Sequence, residues 1–80
     1  MPPKIAILID AENISYKYLP RILEEIAPHG QIVLRAAYAD WQIPALLKWH
    51  DIAVANNFKI RHQSNVAKEQ ELNNTSICLI

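Results

Sequence analysis

Glycine is almost missing from this 80-residue chain: Gly30 is the only one. Walker and dinucleotide loops need several glycines to bring backbone against phosphate, so both are excluded. Cysteine is equally scarce. The single Cys78 excludes an internal disulfide and fits a reducing compartment, so a cytoplasmic location is expected. No apolar run approaches the ~20 residues of a membrane span. The opening Met1-Pro2-Pro3-Lys4 does not read as a signal peptide, and no membrane association is expected. Neither sign of charge is in excess, because eight basic residues balance eight acidic ones. Long-range steering toward nucleic acid is therefore absent, and any such binding needs a local patch. The histidines (His29, His50 and His62) lack metal-ligand spacing and read as helix-end, surface and strand residues.

What is present is apolar material, 51% of the chain. That is enough for a core and too much for a disordered segment. Eighty residues make one domain at most, and so small a domain buries only about 60% of its unfolded surface.

The most informative stretch runs from Ile5 to Asn13. Ile5-Ala6-Ile7-Leu8-Ile9 is continuously apolar and leads directly into Asp10-Ala11-Glu12-Asn13. A run of this length suits a strand buried on both faces of a parallel sheet. Ligands of open α/β sheets bind beyond the carboxyl ends of such strands. Asp10 and Asn13 then sit where a charged group can hold a cation. Helix capping by Asn13 and Ser15 is the plainer alternative, and Glu12 reads as an acid at a helix start.

The rest of the chain alternates helix and strand. Leu19, Ile22, Leu23, Ile26 and Ala27 form one helical stripe. Pro20 is tolerated only in the first turn, so the helix starts near Tyr18 or Leu19 and ends at Pro28 and Gly30. A second strand spans 31–38 and closes on Ala39-Asp40-Trp41. Pro44 suits the first position of a helix to about Asn56, with Leu46, Leu47, Trp49, Ala53 and Val54 inward and Asn56-Asn57 as its cap. Residues 58–63 alternate as a third strand. Residues 64–74 are polar and read as a loop, and Thr75 reads as the cap of a final helix stub.

The order β-α-β-α-β with right-handed crossovers implies a parallel three-stranded sheet. With strand two in the middle, the most apolar strand is left as an open edge, which is a pairing hazard. Ile77-Cys78-Leu79-Ile80 also lacks a receiving surface in that arrangement. Both features suggest a domain cut short.

Three segments together resemble the NYN domain, of the PIN-like nuclease fold, and look most like its LabA-like branch. They are Ile-Leu-Ile-Asp-Ala-Glu-Asn-Ile at 7–14, Arg-Ala-Ala-Tyr-Ala-Asp-Trp at 35–41 and Asn-Asn-Thr-Ser-Ile-Cys-Leu-Ile at 73–80. The resemblance implies an α/β, three-layer Rossmannoid parallel sheet, here the amino-terminal half with about three strands and a helix stub. It also implies a metal-dependent ribonuclease in RNA processing or degradation, with single-stranded RNA as partner and Mg²⁺ or Mn²⁺ as cofactor. Asp10 matches the family's first metal-binding Asp, Asn13 its polar companion and Asp40 the acid ending the second strand. Asp10 and Asp40 are thus the implied catalytic and metal-holding residues. Ser76 stands at a position where the family usually carries Asp, and the family's later Gly-Asp-x-Asp segment is not in these 80 residues.

Several residues carry two readings. Trp41 serves either as a stacking platform for a base or as packing. Arg35, with Lys59, Arg61 and Lys68, forms either a phosphate-facing rim or solvated surface. Cys78 reads as an inert buried thiol. Two rival functions stand beside the nuclease: a non-catalytic binding or assembly module, self-associating through the open edge of strand one, and an inactive truncated product.

Overall fold

The computed structural model describes residues 3–62 and 76–80, with Ser76, Ile77 and Leu79 described by backbone alone. Four parallel strands form one sheet: β1 (Lys4–Asp10), β2 (Gln31–Ala39), β3 (Lys59–His62) and β4 (Ser76–Leu79). Their spatial order is β3-β2-β1-β4. Two helices connect the first three, α1 (Leu19–Ile26) and α2 (Leu47–Ala55), each preceded by a single 3₁₀ turn.

The last element corrects the sequence expectation. Residues 76–79 form a strand and not a helix stub, and the sheet has four strands and not three. The physical reason lies in β1, whose second edge offers unpaired backbone groups. β4 pairs with it in parallel, Ile5 opposite Ser76 through Leu8 opposite Leu79. The ladder continues past β4, where Ile80 N–H donates to the Leu8 carbonyl (3.0 Å) and Asp10 N–H donates to the Ile80 carbonyl (2.8 Å). Strand one therefore has no open edge, and self-association through that edge loses its basis. Gln63, Lys68, the polar stretch 64–74 and Thr75 lie outside the described residues.

Both helices pack on one face of the sheet. Ile5, Ile7 and Ile9 share a core with Leu19 from α1 and Trp49 and Ala53 from α2, joined by Ala37, Ala39 and Phe58. Right-handed connections that step the same way across a sheet put their helices on the same side, and β1 to β2 to β3 steps one way. Leu8, Ala36 and Tyr38 form a second buried cluster, with Leu34 packed against it. Every residue of β1 from Ile5 to Ile9 is buried, as a strand covered on both faces requires.

A bulge in β2 decides which of its residues face the helices. Ile5 pairs with Ile32 but Ala6 pairs with Leu34, so Val33 is an extra residue. Side chains two apart normally share a face. Ile32 nevertheless packs with the helix-side core, and Leu34 with the opposite cluster. The bulge inverts the alternation, so that odd-numbered residues (Arg35, Ala37 and Ala39) lie on the helix side beyond it.

The helical stripes came out unequally. In α1, Leu19 is buried and Ile22, Leu23 and Ile26 are half-buried. In α2, Trp49 and Ala53 are buried but Leu47 and Val54 are 67% and 53% exposed. These two are seven residues apart and share a face, which points away from the sheet because Trp49 claims the inner one. The cap at Asn57 is real, with φ 66° in the left-handed region that Asn tolerates. Asn56 Nδ2 also donates to the Ile52 carbonyl (2.8 Å).

Gly30 sits where β1 and β2 begin side by side. A Cβ there would lie 2.3 Å from the Pro3 carbonyl oxygen, which accepts the N–H of Gln31 (2.7 Å). Gly30→Ala should therefore destabilise the fold by about 1–3 kcal/mol, the usual range for overpacking. Urea unfolding would measure it, and an unchanged midpoint would contradict the close approach.

Candidate functional site

The carboxyl end of the sheet gathers the acids. Asp10 closes β1 opposite Tyr38 in β2, and Asp40 follows two residues after Tyr38. The two aspartates thus leave adjacent parallel strands at the same end of the sheet. Ala11 N–H donates to the Tyr38 carbonyl (3.0 Å), which extends the pairing one step past Asp10.

Each aspartate starts a turn. Asp10 accepts Asn13 N–H at its backbone carbonyl (3.1 Å) and Glu12 N–H at Oδ1 (3.3 Å). Asn13 Nδ2 donates to Asp10 Oδ2 at 2.6 Å. Asp40 behaves alike, accepting Gln42 N–H at Oδ1 (3.1 Å) and Ile43 N–H at its carbonyl (3.2 Å). Asp side chains favour this position because they can bond backbone two residues on. One bond per carboxylate oxygen leaves lone pairs over, since each oxygen accepts about two. Asp10 is half-buried, and Asp40 is exposed.

Glu12 is not the helix-start acid that its position in the sequence suggests. Its Oε2 accepts the Asp40 N–H at 2.9 Å, fastening the turn after β1 to the turn after β2. No local signal reveals this bond, which spans 28 residues. Trp49 fixes the same turn from below: its Nε1–H donates to the Ile14 carbonyl at 2.8 Å. Of the two proposed caps, Ser15 does cap the following 3₁₀ turn, its Oγ accepting Lys17 N–H (3.2 Å). Asn13 does not cap; it holds the Asp10 carboxylate.

The other singled-out residues are scattered. Trp41 is half-buried, its Nε1–H donating to the Arg61 carbonyl at 2.8 Å, with its ring edge-on to His50 at 5.7 Å. It stands next to Asp40 but is tethered to β3. Arg35 lies three residues before Tyr38, about 10 Å back from the acid end at ~3.3 Å per residue. The bulge turns it to the helix side, where Nη1 donates to the Asn56 carbonyl (3.1 Å) at the end of α2. A cation there complements the helix terminus, so Arg35 is placed away from the acids and not among them. Ser76 is misplaced more clearly. It pairs with Ile5, four residues short of Ile80, so it lies about 13 Å from the acid end. The residue that meets Asp10 is Ile80, just past β4, and Ser76 is not the vacant acid position of this edge.

The donors at the edge are all oxygen, which suits hard cations such as Mg²⁺ or Mn²⁺. Magnesium usually takes one or two carboxylates and completes its shell with water and phosphate. Asp10 and Asp40 meet that count. Among the described residues no three His, Cys, Asp or Glu side chains converge on one point. The two carboxylates match the hard-oxygen chemistry of such an ion without forming a protein cage among the described residues.

Trp49→Phe keeps an aromatic ring in the core and removes the N–H that holds Ile14. Loss of one such hydrogen bond is expected to cost about 1 kcal/mol. Amide exchange at Ala11 and Asn13 should accelerate more than at Ile7. Equal protection at all three would show that the turn does not depend on the indole.

No curated protein and no solved structure matches this chain. A family model described as the NYN domain matches residues 4–80, nearly the entire sequence and every described strand and helix. The chain belongs to the NYN domain family.

Proposed function

We propose that this chain is an NYN domain of the metal-dependent ribonuclease type, acting on single-stranded RNA in its processing or degradation. NYN domains belong to the PIN-like nuclease group, which supplies the reaction class. The observation that carries the reading is the exit of Asp10 and Asp40 from adjacent strands at one sheet end. Their carboxylates are the groups to hold Mg²⁺ or Mn²⁺. When bound, such an ion orients water and offsets charge on the phosphoryl oxygens during in-line attack. Asn13 positions the Asp10 carboxylate through its 2.6 Å bond, leaving the remaining lone pairs directed by that contact. Glu12 keeps the two turns in step by holding the Asp40 backbone. Arg35 has no part in this arrangement, since it serves the end of α2.

A second reading has one observation in its favour. Both aspartates already serve their own turns, as a domain that binds without cutting would also require. Cleavage of single-stranded RNA in Mg²⁺ or Mn²⁺ separates the two. The wild-type chain should cut, Asp10→Asn should fall to background, and Asn13→Ala should weaken the metal dependence about 10- to 100-fold. Wild-type cleavage no greater than that of Asp10→Asn, with RNA still retained, would reject the nuclease reading in favour of the binding module.

A further inference from the structure

A hollow of about 390 Å³ opens between the segment after Asp40 and the start of α2, lined by Trp41, Gln42, Ile43, Pro44, Leu47 and His50. We propose that it is a nucleobase subsite, receiving one base of a single-stranded RNA whose backbone lies along the acid edge. The proposal rests on the nuclease or RNA-binding reading above, and it adds where a base is held and by what.

Three observations select a base as the occupant. The volume lies at the small end of the range for ligand pockets, suited to one ring system and not to a helix. The walls combine aromatic and aliphatic surface with an amide and an imidazole, which matches a π-face with polar edges. Trp41 is held in place by its bond to the Arg61 carbonyl and by the edge-on contact with His50, so little side-chain freedom is lost on stacking. The hollow also follows the acid edge directly in sequence, since Trp41 and Gln42 come immediately after Asp40. Gln42 N–H donates to Asp40 Oδ1, so one turn carries both the carboxylate and the aromatic wall. A strand with a phosphate at the carboxylates would pass the turn that carries Trp41, the residue after Asp40. Leu47, 67% exposed on the outer face of α2, gains a purpose at the rim of this hollow.

The test is binding measured with Ca²⁺ in place of Mg²⁺ or Mn²⁺, so that a cation still joins phosphate to the carboxylates, with a gel confirming that the strands stay intact. Fluorescence anisotropy would compare labelled heptamers of oligo(U) and oligo(A) with an abasic ribose-phosphate heptamer of equal charge. The abasic strand should bind at least about 5-fold more weakly. Trp41→Ala and His50→Ala should each weaken the base-containing strands by about 5- to 150-fold, toward the abasic level. Neither should change binding of the abasic strand. Circular dichroism would report whether Trp41→Ala still folds, and His50→Ala, a half-exposed position, carries the test if it does not. Equal affinity for abasic and base-containing strands would overturn the proposal, as would variants that weaken both alike. A dimer in sedimentation that Leu47→Gln abolishes would also overturn it, assigning the hollow to a second copy of the chain. Asp10→Asn keeps the two readings apart: it should lose cleavage and keep the preference for bases.

Discussion

The parallel pairing of β1 on both of its edges is the constraint from which the rest follows. Five consecutive buried apolar residues leave β1 little choice but the interior of a sheet. An interior strand needs two neighbours, and β2 and β4 supply them. Those two ladders hold Asp10 from both sides, through Ala11 bonded to Tyr38 and through Asp10 bonded to Ile80. The position of the acid is thus a backbone property. Its carboxylate needs only the local bond from Asn13 to be oriented.

The bulge at Val33 works at the other end of the same sheet. It shifts the phase of β2 by one residue, so Ile32 and Ala37 both reach the helix side. It also sends Arg35 to the C-terminal carbonyls of α2. A straight strand with Ile32 inward would have put Arg35 on the opposite face, and Ala36 and Tyr38 beneath the helices. The bulky Tyr38 would then have met the helices where the small side chains of Ala37 and Ala39 now allow close packing. The small residues of β2 are the space that Trp49 and Leu19 occupy.

Much of this was legible in the chain. Buried strands announce themselves by unbroken apolar runs, so β1, the start of α1 near Pro20 and the cap at Asn57 could be read directly, whereas α1 stops at Ile26, ahead of Pro28 and Gly30. The family could be read from three separate motifs. The fourth strand could not. Ile77 to Ile80 is a short apolar run with no period of its own, and such runs are assigned by partner and not by pattern. Leu47 and Val54 failed for a related reason: a helix apolar on more than one face does not say which face is inner. The acid edge was half legible, because Asp10 and Asp40 end apolar strands. The bonds from Glu12 to Asp40 and from Trp49 to Ile14 join residues 28 and 35 positions apart, and no local signal carries that information.

The double use of the aspartates bears on how such a site works. A carboxylate that shapes its own turn needs no separate scaffold to hold it. The turn bonds occupy one lone pair per oxygen at most, and they fix the direction of those that remain. Carboxylates oriented in advance in this way would cost little reorganisation on meeting a cation. The same bonds tie each carboxylate to its own turn, Asp10 to residues 12 and 13 and Asp40 to residue 42. The strands thus set where the two acids emerge, and the single turn after β2 carries both Asp40 and the Trp41 wall of the hollow.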